Sequence, residues 1–317
     1  MVVSRSAQTS YRGAVNEPDH ASQPLQFEQV AILDVAAGSG LAFHRGALVV
    51  VADDALVLSR YTTLGAPLGT IRLFEGELPE DPRERKRAKP DLEALVGLPD
   101  GSLLVVPSGS TRRRRTGAVL TRARVTVVDW TPLYERLETE LDDLNVEGIA
   151  MLGHSLALFT RRTGKRGSNA IVRLRLLDTM AALQSPAPRL SAGLLESIRV
   201  VDLGAVEGTP LGFTDAARWR GEGVLFSAAA EATDDPIEDG RVVGCIVGRI
   251  DATGRVRARW QVAGHTKIEG ITVVDDQWLY AVSDADDATI NSPLLRTPVT
   301  QFERPRGQRR GSPWDHA

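Results

Sequence analysis

Ile268-Glu269-Gly270-Ile271 opens an apolar run that continues to Trp278-Leu279-Tyr280-Ala281-Val282. The same order returns upstream. Val146-Glu147-Gly148-Ile149 precedes Leu156-Ala157-Leu158-Phe159, and Leu92-Glu93-Ala94-Leu95 precedes Leu103-Leu104-Val105-Val106. Two weaker copies are Thr214-Asp215-Ala216-Ala217 before Val224-Leu225-Phe226, and Gly38-Ser39-Gly40-Leu41-Ala42 before Ala47-Leu48-Val49-Val50-Val51. Aligned on the oxygen-bearing residue, the marks fall at 39, 93, 147, 215 and 269, with steps of 54, 54, 68 and 54. A repeat near this length with strand-like content is the signature of a propeller.

Working outward from each mark, a turn follows the first apolar stretch. Examples are His44-Arg45-Gly46, Pro99-Asp100-Gly101 and Arg220-Gly221-Glu222-Gly223. Pro presets φ and Gly accepts positive φ, so such sequences reverse the chain. Then come a second apolar strand, a polar loop and two more strands, among them Ala123–Trp130, Ala170–Leu176 and Val242–Ile250. Four strands per repeat make a propeller blade. The predicted fold is an all-β, five-bladed β-propeller, with six blades as the alternative. The long third repeat exceeds the others by 14 residues, too few for a further blade. That surplus is expected as a short helix in Ser191–Ser197. The segment after 269 supplies only three strands, so Phe27–Val35 is expected to complete the last blade and close the ring, which removes exposed sheet edges. The predicted division is a flexible tail at 1–24, one propeller domain at 25–300 and a polar tail at 301–317. The charged stretch 75–91 reads as a surface excursion with one helical piece at Pro82–Ala88.

Bulk properties narrow the function. The chain of 317 residues is 42% hydrophobic, enough for a large core, and its net charge of −3 argues against a nucleic-acid binder. The single cysteine, Cys245, allows no internal disulfide. No stretch is long and apolar enough for a membrane span, and the polar start lacks the apolar core of a secretory signal. The simplest expectation is a cytoplasmic protein with neither nucleic-acid nor membrane partners.

In an antiparallel blade the start of the first strand and the end of the second share one edge. All marks and all second-strand exits therefore fall on one face of the disc. Those exits carry Asp53-Asp54 in the first blade, Ser108–Arg115 with Arg112 and Arg113 in the second, and Arg161–Asn169 with Arg161, Arg162 and Asn169 in the third. The fourth carries Glu231, Asp234, Asp235, Glu238 and Asp239, and the fifth Asp284, Asp286 and Asp287. This predicts a cationic half and an anionic half around the channel mouth. If Glu93, Glu147, Asp215 and Glu269 meet at one height, with Ser39 adding a hydroxyl, they repel or hold a cation. Ca²⁺ suits an all-oxygen set, and no His or Cys cluster suits zinc. The alternative leaves these carboxylates bonded to backbone N–H groups of adjacent blades. Arginine forks match phosphate oxygens, so the basic exits form a candidate anion clamp; solvated loops are the other reading. P-loop spacing, a G-x-S-x-G elbow and H-E-x-x-H are all absent, and His44, His154 and His265 stand singly near turns.

These residues resemble the calcium-activated nucleotidases (soluble apyrases). Ser39, Glu93, Glu147, Asp215 and Glu269 correspond to that family's one calcium-facing residue per blade. Val50–Asp54, Phe159–Arg162 with Gly167–Asn169, Gly212–Asp215 and Lys267–Ile271 are similar to its short motifs. At 215 the family tends to Ser, and its base-stacking aromatics have no clear counterpart here. Bacterial propellers related to esterase-like phytases are similar to a like degree. The resemblance implies a five-bladed fold with central Ca²⁺ and a metal-dependent hydrolase of phosphorylated or other anionic small molecules. On this reading Arg161 and Arg162 are expected to hold the anion, and Asp53, Asp54 or an acidic-loop carboxylate to act as base. A non-catalytic propeller with structural Ca²⁺ is the alternative.

Overall fold

The computed structural model describes residues 23–162, 167–232, 240–264, 266–284 and 290–303. The chain enters along the fourth blade, where Leu25 bridges Val262, and then forms strand β1 (Glu28–Ile32). The first blade is β2 (Gly38–His44), β3 (Ala47–Ala52), β4 (Val57–Tyr61) and β5 (Pro67–Arg72). After helix α1 (Pro82–Ala88) comes the second blade, β6 (Leu92–Gly97), β7 (Leu103–Pro107), β8 (Thr116–Leu120) and β9 (Val125–Asp129), followed by helix α2 (Thr131–Leu137). The third is β10 (Val146–Leu152), β11 (Ser155–Thr160), β12 (Asn169–Arg175) and, beyond helix α3 (Leu176–Leu183), β13 (Leu195–Val201). The fourth is β14 (Ala205–Val206), β15 (Thr209–Trp219), β16 (Gly223–Ala232), β17 (Arg241–Ile250) and β18 (Val256–Gln261). The fifth joins β19 (Ile268–Val274), β20 (Trp278–Ser283) and β21 (Pro293–Pro298) to β1 at its outer edge.

Five blades are therefore present, and the N-terminal strand closes the ring. β1 pairs with β21 from Glu28 opposite Arg296 to Ile32 opposite Pro293. Arg296 forks onto the Glu28 carboxylate at 3.1–3.2 Å and lies over the Trp278 ring. The inner strands touch in cyclic order, β2 to β6 to β10 to β15 to β19 and back to β2.

The apolar residues do not pool at the centre. They form five clusters, each wedged between consecutive blades. Strand alternation explains this: successive side chains leave opposite sheet faces, and both faces are buried, so the strands read as continuous apolar runs. Leu41 packs between the fifth and first blades, whereas its neighbour Ala42 packs between the first and second. Such wedges leave the ring axis to backbone and polar groups.

Three local features adjust the expected boundaries. Only Ala192–Leu194 of the predicted 191–197 helix is a helical turn, because Leu195 begins the outer strand of the third blade. The surplus length goes into α3 and the small β14 hairpin. At the far end, Phe302 is fully buried and packs edge-on against Trp219 and Trp260, so the fold reaches past residue 300. Helix α1 forms at the expected place, its first turn capped by the Asp81 carboxylate, which accepts from Arg83 N and Glu84 N. No helix among the described residues is long and apolar enough to cross a membrane.

Candidate functional site at the channel mouth

Each inner strand carries a β-bulge where the repeated motif lies. The shift falls around Ser39 in β2, Glu93 in β6, Glu147 in β10 and Glu269 in β19. The residue after the bulge faces the next inner strand at very short range. A Cβ at Gly40 would lie 2.8 Å from Glu93 O, at Gly148 2.9 Å from Ala216 N, and at Gly270 2.7 Å from Leu41 N. The glycine of the motif is thus a packing requirement between blades, and the acid before it is the residue the bulge lifts out of the ladder.

The fourth blade breaks this equivalence. Its bulge lies between Phe213 and Asp215, so the lifted residue is Thr214. Asp215 takes the position that Gly40, Ala94, Gly148 and Gly270 hold in the other blades. Its carboxylate is buried and accepts from Ala216 N and from Ile271 N of the next blade, both at 2.7 Å. The ring of bulge residues is therefore Ser39, Glu93, Glu147, Thr214 and Glu269, and Asp215 is an inter-blade brace beside it. Thr214 donates to Ile268 O at 2.6 Å and meets the Ser227 hydroxyl at 2.8 Å.

The ring glutamates share one electrostatic problem. Burial pushes the Glu147 carboxyl up to about 8; Arg161 opposes this and Glu269 adds to it. Burial also raises Glu269 against the pull of Lys267. Glu93 is pushed well above the usual carboxylate range by burial, reinforced by Asp91 and Glu147. Taking a carboxylate out of water disfavours its charge, and neighbouring carboxylates deepen the effect.

A second layer answers that problem with ion pairs that cross blade boundaries. Lys267, two residues before its mark, pairs with Glu269 at 2.6 Å and with Glu231 at 2.8 Å. Arg161 pairs with Glu231 at 2.6 Å and approaches Glu147 to 3.7 Å, while Asn145 donates to Glu147 at 2.5 Å. Burial alone would raise Glu231, but Arg161 and Lys267 outweigh it and hold its carboxyl below the usual range. On the opposite side, Lys89 pairs with Asp53 and, at 3.1 Å, with Asp91. Arg114 reaches Asp91 at 2.9 Å, and Ser108 donates to the same carboxylate. Asp53, Asp91 and Glu93 bring carboxylate oxygens within 4.8 Å of one another. Ser39 accepts from Asp53 N at 3.1 Å and so ties this group to the ring.

The predicted loop residues divide. Arg161 and Glu231 enter the network, and Asp53 stands beside Glu93. Asp54 is turned to Arg85 on α1, at 2.8 Å. Asn169 is committed to backbone: it donates to Leu211 O and accepts from Arg162 N and Phe213 N. Arg112 and Arg113 are exposed on the rim, and Arg162 is half-buried. Asp234, Asp235, Glu238, Asp239, Asp286, Asp287 and His265 lie outside the described residues. Where the expected basic and acidic halves meet, Arg161 of the third blade grips Glu231 of the fourth. Sequence reasoning missed Lys89, Asp91, Asn145, Thr214 and Lys267. A signal for three of them was present: Asp91, Asn145 and Lys267 each sit two residues before a mark.

Over residues 34–299 the chain matches a family described as Family of unknown function (DUF6929), and it belongs to that family. A search of curated proteins finds no match. Among solved structures it is similar to the glutaminyl cyclase of Myxococcus xanthus, with 12% identity over 87% of this chain and 95% of that one, at a TM-score of 0.50. It is also similar to regucalcin, a calcium-binding protein of Agrobacterium tumefaciens, with 13% identity, 86% and 93% coverage and a TM-score of 0.45. A gluconolactonase of Xanthomonas campestris gives 10% identity, 86% and 90% coverage and a TM-score of 0.44. At 12% identity the likeness to the cyclase speaks to the fold alone, and function has to be argued from the site.

Proposed function

We propose that the protein binds a divalent cation, Ca²⁺, at the channel mouth, and that the charged groups around it bind and hydrolyse a phosphorylated or otherwise anionic small molecule. One observation carries the reading: the mouth holds more buried carboxylate than its own cations neutralise. Among the described residues, the ion pairs made by the group Asp53, Asp91, Glu93, Glu147, Glu231 and Glu269 are with Lys89, Arg114, Arg161 and Lys267. Counted over these described groups, six carboxylates against four cations leave an excess of two negative charges, which would match one divalent ion. Glu93, Glu147 and Glu269 would hold it, with the hydroxyls of Ser39 and Thr214 and water filling an oxygen-only set of 6–8 ligands. The resemblance to calcium-activated nucleotidases supports a central Ca²⁺ held by Ser39, Glu93, Glu147 and Glu269, though it named Asp215 rather than Thr214 in the fourth blade.

The ion would supply charge neutralisation and polarise a bound oxygen. Around it, Arg161 and Lys267 would position the anion, with Arg112 and Arg113 on the rim drawing it in. Asp53 would act as base. Burial raises its carboxyl, with Lys89 opposing, and a raised carboxylate is a better proton acceptor. A second reading has its own support. Arg161 and Lys267 are already gripped by Glu231, which suits a rigid structural mouth that binds a ligand or protein without turning it over.

Metal analysis of the purified protein, joined to thermal melts with and without chelator, tests the ion. Ca²⁺ at 100 times its Kd should add ~2.7 kcal/mol of stability. A protein free of metal whose melt ignores both Ca²⁺ and chelator would sink the cation reading. Turnover is then sought with nucleoside di- and triphosphates, phosphomonoesters and lactones in the presence of Ca²⁺. Hydrolysis abolished by E147Q together with R161Q supports the enzyme. Metal binding without any turnover selects the binding module.

A further inference from the structure

Three blades meet at the Glu231 carboxylate. Its Oε2 takes Arg161 of the third blade at 2.6 Å, and its Oε1 takes Lys267, which leads into the fifth, at 2.8 Å. The Glu231 side chain is 7% exposed and that of Lys267 5%, so water does little to screen these contacts. Strand register gives the heights. Thr160 pairs with Val146, and Ser283 with Ile268, so Arg161 and Lys267 each stand one residue beyond those pairs on the mouth side. In the fourth blade the corresponding pair is Phe213 with Ala228, and Glu231 lies three residues beyond it. Glu231 is therefore rooted two residues higher, about 7 Å along the strand, and its side chain turns back to the two cations. From the open face the order is Glu231, then Arg161 and Lys267, then the ring carboxylates Glu147 and Glu269 that the same cations approach.

We propose that Arg161 and Lys267 form an oxyanion subsite and that Glu231 is its tethered occupant, which a ligand's phosphate group displaces on binding. This rests on the reading of Arg161 and Lys267 as the anion-holding pair, and it adds the group that decides which anions enter. The resident carboxylate defines the chemistry of the subsite: one oxygen on a guanidinium, the other on an ammonium, each in a charge-assisted contact. The grip is ionic in kind, since the two cations hold the Glu231 carboxyl below its usual range against burial. An entering anion of unit charge replaces Glu231 with no change in the balance against Glu147 and Glu269, so the subsite accepts an anion despite the acids beneath it. Tethering sets the selectivity. A linked group competes at an effective concentration of millimolar order or higher. Acetate brings the same charge and the same two oxygens, and gains nothing by the exchange. A phosphate group brings more charge and a third oxygen, and is the favoured entrant.

The test uses the full chain in chelator, so that a ring cation plays no part, and follows inorganic phosphate and acetate by calorimetry and thermal melts. E231A should bind phosphate about tenfold or more tightly than the parent, the step expected when a competing charge-assisted pair is removed. Acetate should raise the melting temperature of E231A, because it restores the missing carboxylate, and leave that of the parent unchanged. E231Q keeps the shape without the charge. It should gain phosphate affinity too, by less than E231A, and it carries the test if E231A fails to fold. Adding R161Q to either variant should abolish the gain. Equal phosphate affinity in the parent, E231A and E231Q would overturn the proposal and leave Glu231 a structural tie. A gain that R161Q leaves intact would overturn it as well. A parent that binds no metal and turns over no substrate, but whose Glu231 variants gain phosphate affinity through Arg161, removes the hydrolase reading and keeps the subsite.

Discussion

Asp215→Ala distinguishes a ring ligand from an inter-blade brace. The Asp215 carboxylate accepts from Ala216 N and Ile271 N at 2.7 Å each, and the side chain is 2% exposed. Removing it leaves two buried N–H donors without that acceptor, at about 1–3 kcal/mol apiece. Part of this is regained because a buried carboxyl, whose own proton affinity is raised mainly by burial, no longer has to be desolvated. The net expectation is a loss of roughly 3 kcal/mol. For a chain of 317 residues, at ~2.1 cal/mol/K per residue, that lowers the melting temperature by about 4–5 °C. Asp215→Asn keeps the shape but turns an amide NH₂ toward one of the two donors, so it should fall between Ala and the parent. Urea unfolding followed by tryptophan fluorescence gives the midpoint, and metal content is measured on the same samples. Both variants should keep the parent's metal content, whereas E147Q should reduce it if the ring binds an ion. An unchanged midpoint for Asp215→Ala would refute the brace. Unchanged stability with lost metal would return Asp215 to the ring.

Three other outcomes are expected. Lys267 is 5% exposed and is the shared partner of Glu231 and Glu269, so Lys267→Met should strand buried carboxylates and cost about 3–5 kcal/mol in urea unfolding. Burial raises Asp251, but the carboxylate accepts from Thr253 N, Thr253 Oγ1 and Arg255 N and pairs with Arg257, and together these outweigh burial and hold it below the usual range. A depressed carboxyl stabilises above its unfolded value and loses that contribution as pH falls through its folded value. Asp251→Ala should therefore cost about 1 kcal/mol at neutral pH, and its difference from the parent should fade on acidification below about 3.9. Burial pushes the Cys245 thiol up to about 12, and the residue is fully enclosed; a thiol reagent should leave it unmodified at mildly alkaline pH until denaturant is added.

The blade count was legible because one physical demand recurs. In the first, third and fifth blades the strands crowd so closely at the bulge that the residue after the lifted one is glycine, and Glu-Gly meets both needs in two of them. Blade four hid its register for the same reason. In Thr214-Asp215-Ala216 the acid is the conspicuous residue, but the pairing of Phe213 with Ala228 and of Asp215 with Ser227 makes Thr214 the lifted one. That pairing is set by a partner strand about a dozen residues on, and no local pattern announces it. Charge in the exit loops was visible as composition. Its cancellation across blade boundaries, as in Arg161 with Glu231, depends on which blades are neighbours and how far each strand runs. β15 and β16 extend beyond their counterparts, and this extra length carries Glu231 to the mouth.

The closure of the ring by β1 has a consequence for how the molecule is made. Glu28 and its partner Arg296 are separated by 268 positions in the chain. At about 5–20 residues per second a ribosome needs on the order of tens of seconds to travel from one to the other. Throughout that interval β1 has left the ribosome and its sheet does not exist. Blades one to four can assemble as they emerge, each wedge of apolar residues sealed by the next blade. The first-made strand is thus the last to find its place, and the disc becomes a closed ring only when β21 is delivered.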